Sequence, residues 1–257
     1  MKSELRFSEI KDLLDHQHNR FNHPDFIEND PISIPHLFSK KEDIEIAGFL
    51  TATISWGNRK AILTNAKSMM QRMDNDPYHF VLNHTKKDLS NLNGFVHRTF
   101  NARDFEFFIK SLKNLYLKHQ GLEGAFAVLN ETGLADRIHH FRNLFLKINH
   151  PNRLEKHISD PLKNSSAKRI CMYLRWMVRN DMRKVDFGIW KTIKPAELCL
   201  PLDIHTGNIS RRLGILARTQ NDWKSVTELT TFLRKCDAND PVKYDFALFG
   251  MGIEKLL

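Results

Sequence analysis

The chain reads as an all-α protein folded in two lobes. Three observations predict this. Apolar residues recur at helical spacing along most of the sequence, alternating β patterns are scarce, and Val-Ile-Thr clusters bounded by turn residues are nearly absent. With 257 residues, 41% hydrophobic and 27% charged, the chain has the composition of a globular protein and the length to bury a sizeable core.

The elements follow in order. The first forty residues are rich in His, Asn and Pro and have no partner of their own, so they are expected to wrap onto the second lobe. Residues 43–54 (DIEIAGFLTATI) are apolar on nearly all sides and predict a central helix packed all round. Ile62, Leu63, Ala66, Met69, Met70 and Met73 form one face of an amphipathic helix. Phe105, Phe108, Ile109, Leu112, Leu115 and Tyr116 form a second, and Ile170, Cys171, Leu174, Met177 and Val178 a third. Ser39 to Glu42 and Ser225 to Glu228 fit capping boxes. Asp30-Pro31, Asp76-Pro77, Asp160-Pro161 and Asp240-Pro241 set a capping carboxylate before a proline suited to the first helical position. Residues 180–202 break the helical period with Gly188, Pro195 and Pro201. One lobe is therefore predicted over 42–179, and the other from 1–41 together with 180–257.

Composition narrows the function. No apolar run approaches the roughly 20 residues needed to span a bilayer, and the N-terminal stretch MKSELRFSEIKDLLD has no signal-peptide core. Cys171, Cys199 and Cys236 are odd in number and widely spaced, which predicts no disulfide framework and a reducing cytoplasm. His16, His18 and His23 lie close together, but no carboxylate or cysteine spacing completes a metal site, so none is expected. The net charge of +9 favours a polyanionic partner.

Two segments carry the chemistry. In residues 160–179 (DPLKNSSAKRICMYLRWMVR) a polar turn leads into a helix, with Ser165 or Ser166 expected as N-cap and Lys168 in the first turn. The positive end of the helix and the neighbouring Arg169 both disfavour the ammonium form, and the neutral amine is the nucleophile of Schiff-base chemistry. In residues 201–215 (PLDIHTGNISRRLGI) Asp203 is expected to cap a helix whose buried side carries Ile209 and Leu213. Each also has an ordinary reading, Lys168 as a solvated surface lysine and Asp203 as a cap alone. Arg211 and Arg212 read equally as a phosphate-binding face or as a solvated one. Trp56, Trp176 and Trp190 are large aromatic rings that could act as stacking surfaces. Trp176 reads as core, and Trp56 sits at a helix-end turn.

The turn-helix lysine, then P-x-D-x-H, then a helix ending in R-x-L-G, resembles the helix-hairpin-helix DNA glycosylases, which include endonuclease III and the 8-oxoguanine glycosylases. The resemblance covers residues 42 to 255. The motifs Phe95 to Phe100, Ser166 to Arg169, Leu174 to Arg179, Pro201 to His205 and Asp240 to Leu248 also resemble an uncharacterised bacterial family of unknown function. The glycosylase resemblance implies a two-lobed helical fold with Lys168 as nucleophile and Asp203 across a cleft. It further implies DNA contacts from Asn58, His97, Arg98, Ser165, Ser166, Arg169, His205, Arg211 and Arg212, with Trp56 in the base pocket. The implied activity is excision of a damaged base, an oxidised purine foremost, with AP-lyase cleavage, on double-stranded DNA holding a damaged or abasic site. A monomer in the bacterial cytoplasm, nucleoid-associated when bound, is expected.

Departures from the family pattern keep two other readings open: a non-catalytic nucleic-acid-binding protein on the same fold, and an RNA-directed enzyme. The family hairpin L-P-G-x-G, whose glycines admit a phosphate, is here P-L-K-N-S-S. The Lys168–Asp203 spacing exceeds that of the best-known members and resembles the archaeal 8-oxoguanine branch. A glutamine after the serine turn is replaced by Trp56, Gly57 and Asn58. Endonuclease III's four-cysteine cluster has only Cys236 in the corresponding region, so no iron–sulfur cluster and no other cofactor is expected.

Overall fold

The computed structural model describes residues 5–127 and 133–256. The fold is all-α. Its helices are α1 (Phe7–Phe21), α2 (Asp25–Glu28), α3 (Lys41–Ile54), α4 (Arg59–Arg72), α5 (Pro77–Asn83), α6 (Lys86–Ser90), α7 (Ala102–Lys118), α8 (Gly121–Phe126), α9 (Leu134–Phe145), α10 (Lys168–Val178), α11 (Ile204–Arg212), α12 (Trp223–Cys236) and α13 (Tyr244–Glu254). The sheet among the described residues is one two-stranded hairpin, β1 (Val96–His97) and β2 (Phe100–Asn101), paired antiparallel. No described helix is long and apolar enough to cross a membrane.

The chain divides into two compact units: residues 27–159, and residues 1–26 with 160–257. The boundary falls before the hairpin that leads into α10, not at residue 180. Lys168 and Asp203 therefore belong to the same unit. At this boundary Pro161 starts a 3-10 turn and Asp160 accepts from Leu162 N at 3.0 Å.

In residues 27–159, α3 is the hub. Every residue from Asp43 to Ile54 is buried, as expected of a helix apolar on all sides, and it packs against α4, α5 and α8. Phe49 anchors an aromatic cluster with Phe108, Phe141 and Phe145 at ring distances of 5.3–5.9 Å. In the other unit the N-terminal α1 lies along α13, which also packs on α11. At the α11–α13 crossing a side chain on Gly252 would strike His205.

Helix starts correct several capping expectations. Asp30 and Asp76 cap as expected, accepting from Ile32 N at 3.1 Å and His79 N at 3.3 Å. Asp240 does not cap; its carboxylate turns inward to Arg179 at 2.8 Å. The box at Ser39 fails because α3 begins one residue later, with Lys40 at the cap. The box at Ser225 fails because Asp222 captures the Ser225 amide at 3.1 Å and starts α12 earlier.

Candidate functional site

The hairpin preceding α10 forms its turn without glycine. Asn164 adopts the left-handed conformation with φ 63°, where asparagine is tolerated better than other side chains. The turn is held from α12. Asn164 Nδ2 donates to Asp222 Oδ2 at 3.0 Å, Trp223 N donates to Asn164 O at 3.4 Å, and Ser165 bridges to Asp222. Arg218 and the Ser225 amide share the same carboxylate, and together these partners hold Asp222 far below the usual carboxylate range.

The cap of α10 is neither Ser165 nor Ser166 but Ala167, at φ 46° and ψ 32°. Ser165 Oγ instead accepts from Ala167 N at 3.3 Å. A left-handed alanine costs about 1–2 kcal/mol, and glycine there loses about 0.4–1 kcal/mol of that gain to chain entropy. Ala167→Gly should therefore stabilise the protein by about 0.5–1 kcal/mol in urea denaturation; a loss of stability would show that packing of the buried methyl outweighs the strain. Lys168 is the first helical residue and is half-buried. Arg169 beside it is desolvated, which pulls its guanidinium down to about 10 and leaves it charged at neutral pH.

Asp203 caps α11 as expected, accepting from Thr206 N at 2.9 Å. Ile209 and Leu213 face the core. The arginines at the helix end differ. Arg211 closes the loop to α12, donating to Arg218 O at 2.8 Å and to Asn221 Oδ1 at 2.6 Å, so it is removed from the free basic face. Arg212 lines an open cavity of about 300 Å³ together with His205, Asn208, Ile209, Gly252 and Lys255. Asn208 and Lys255 were not signalled by any motif, because only the α11–α13 crossing brings them to this cavity.

Behind the two segments lies a buried ionic cluster that motif reading missed. Arg175 bonds Asp186 at 3.2 Å and also bonds Asp245. Arg179, one turn on, bonds Asp181 at 2.8 Å, Asp186 at 3.1 Å and Asp240 at 2.8 Å. Burial works against the Arg179 charge, yet the surrounding aspartates raise it above its ordinary value. Burial pushes Asp245 up to about 6; Arg175 opposes this, Asp203 adds to it and Lys168 opposes it. Lys168 and Asp203 thus both lie within electrostatic reach of one buried carboxylate. The available signal was the pair of arginines four residues apart on an apolar helix, in L-R-W-M-V-R.

Residues 27–159 hold the remaining candidates. Asn58 caps α4, accepting from Ala61 N at 3.1 Å. Trp56 is half-buried, its ring edge-on to His97 at 5.2 Å. His97 is 3% exposed, takes a hydrogen bond from Asn65 at 2.9 Å and donates to Trp56 O at 3.3 Å. Burial lowers its basicity, so His97 is a structural ring and not a direct phosphate ligand. Arg98 occupies the exposed β1–β2 turn at φ 54°. Its side chain lies over Gly57, at φ 100°, so closely that a side chain there would meet its guanidinium. Trp176 and Trp190 are 0% and 2% exposed and are core residues. The three cysteines are buried and free.

The family model described as protein of unknown function (DUF2400) matches residues 30–254, and the chain belongs to that family. No curated protein and no solved structure matches it.

Proposed function

We propose that the protein is a DNA glycosylase with AP-lyase activity, acting on double-stranded DNA that holds a damaged or abasic nucleotide. One observation carries the reading: Lys168 opens α10 and Asp203 opens α11 within one compact unit, and both act electrostatically on the buried Asp245. A nucleophilic amine and a carboxylate able to stabilise a sugar cation are the two groups that base excision through a Schiff base requires.

In this mechanism the target nucleotide is flipped out at an unstacking cost of a few kcal/mol. The neutral amine of Lys168 bonds to C1′ as the bond from C1′ to the base breaks, its electron pair leaving with the base, which takes up a proton. Asp203 stabilises the positive charge that develops on the sugar. Ring opening gives an imine between C1′ and Nζ. Loss of a C2′ proton then expels the 3′ oxygen and nicks the strand. Arg169, His205, Arg212 and Lys255 supply positive charge for the phosphates. An oxidised purine is the first lesion class to test.

Borohydride reduction in the presence of abasic duplex tests the reading. The wild type should yield a covalent adduct, and Lys168→Ala should yield none while retarding the same duplex in gels almost unchanged. Retardation without an adduct in the wild type would replace this reading with a non-catalytic binder. Tighter binding of structured RNA than of abasic duplex at matched salt would move the substrate to RNA.

A further inference from the structure

We propose that the cavity between α11 and α13 binds a phosphate monoester carried by a nucleoside, either at the 5′ end of a strand or in a free mononucleotide. The strand-end form rests on the glycosylase reading. Elimination takes a proton from C2′ and breaks the bond from C3′ to oxygen. The electron pair stays on that oxygen, so the downstream fragment is left with a 5′-phosphate. The pocket itself stands on its own geometry.

One face of α11 builds one wall. His205, Asn208 and Arg212 stand at i, i+3 and i+7, with the buried Ile209 beside them. Gly252 and Lys255, at the end of α13, build the other wall. Gly252 sets the approach of the two helices: a Cβ there would lie 2.8 Å from the Cβ of His205. The His205 ring is held edge-on to Phe249 at 6.1 Å. The cavity of about 300 Å³ exceeds what a phosphate alone fills, and Ile209 and Gly252 give the attached sugar an apolar floor.

The donor set selects the ligand. Imidazole, amide, guanidinium and ammonium can all donate hydrogen bonds, and no acidic side chain among the described residues lines the cavity. Glu254, next to Lys255 in the chain, is paired with Arg20 at 2.6 Å. An internal diester brings one negative charge, whereas a monoester brings about 1.5 to 2 at neutral pH, the better match for two cations in one pocket. The end of α13 supports the assignment. Lys255 holds the left-handed conformation at φ 55°, and its N–H and that of Leu256 both donate to Met251 O. Glycine is the usual residue at such a helix end, and any Cβ there costs conformational energy. Here the position carries an ammonium that lines the cavity.

Fluorescence anisotropy with the full chain tests the pocket. Two gapped duplexes of one sequence differ only in a 5′-phosphate or a 5′-hydroxyl at the gap. The wild type should prefer the phosphate about tenfold, the worth of one charge-assisted hydrogen bond. Arg212→Gln and Lys255→Gln should each bring the ratio close to one, whereas Lys224→Gln, at an exposed position of α12, should keep it. Lys255→Gly should lose the preference without a fall in the thermal midpoint, because it removes the ammonium and relieves the turn. Deoxyadenosine monophosphate, followed by NMR shifts of the Asn208 side-chain amide, separates the two sources. Binding that Arg212→Gln abolishes, with no end preference on DNA, assigns the pocket to the free mononucleotide. Equal affinity for the two duplexes together with no monophosphate binding overturns the proposal, as does an end preference that survives in both Arg212→Gln and Lys255→Gln. A wild type that shows the preference but traps nothing with borohydride overturns the glycosylase reading and leaves the pocket standing.

Discussion

Arg179→Ala should remove about 3–5 kcal/mol of stability, a large share of the roughly 5–15 kcal/mol that holds a domain folded. Its side chain is 1% exposed and faces Asp181, Asp186 and Asp240. Taking it away leaves the buried Asp186 with Arg175, at 3.2 Å, as its cation partner among the described residues. The cost arises less from lost attraction than from carboxylates left in a medium that solvates charge poorly. Asp240, already raised by burial, would take up a proton more readily in the variant, so part of the loss should be recovered at acid pH. Arg153→Ala offers the contrast. Arg153 also bonds a buried aspartate, Asp104 at 2.5 Å, but its own side chain is 42% exposed and Asp104 keeps the Asn101 amide at 2.9 Å and His157 at 3.5 Å. Its loss should cost clearly less. Urea denaturation of both variants decides the matter; an Arg179→Ala loss under about 1 kcal/mol would show that solvent reaches the cluster.

The same cluster marks where the sequence was legible and where it was not. Helices, their buried faces and the break after α10 followed from periodicity, because burial of an apolar stripe is a local pattern repeated every turn. The all-round burial of α3 was legible for the same reason. Caps at Asp30, Asp76 and Asp203 were legible because an Asx side chain reaches its own backbone two or three residues on. Asp240 has the same local sequence but does not cap, since a cap and a buried ion-pair partner differ only in what lies across the fold, here Arg179. Lys168 and Asp203 could be named from motifs, but the buried carboxylate Asp245, on which both act, could not. Asp245 sits amid apolar residues on α13, and nothing local distinguishes a buried acid from a helix-surface one until α10 brings Arg175 to it. His97 failed for a related reason: its neighbours Arg98 and Thr99 are exposed, yet the strand pairing turns alternate side chains inward, and His97 is on the inner side.

Asp203→Asn should separate the two roles of a single side chain. The wild-type carboxylate accepts from Thr206 N at 2.9 Å and so caps α11. Asparagine is as good a cap as aspartate and keeps the accepting oxygen, so unfolding free energy should change by no more than a few tenths of a kcal/mol. Asp203→Ala, by comparison, should lose about 1 kcal/mol with the cap. Base removal obeys a different rule. If Asp203 stabilises a sugar cation, the charge matters and the hydrogen-bonding shape does not. Loss of one such preorganised electrostatic contact slows chemistry by about 10²–10³-fold. Single-turnover excision by Asp203→Asn should therefore fall by that amount in a protein of nearly wild-type stability, whereas a residue that only caps the helix would leave excision intact. Removing the negative charge also relieves its repulsion of Asp245, which should titrate lower in the variant. A residual slow activity should then respond to pH differently from the wild type. Wild-type excision rates in Asp203→Asn across a panel of lesions would reduce this aspartate to a helix cap and require another group to stabilise the transition state.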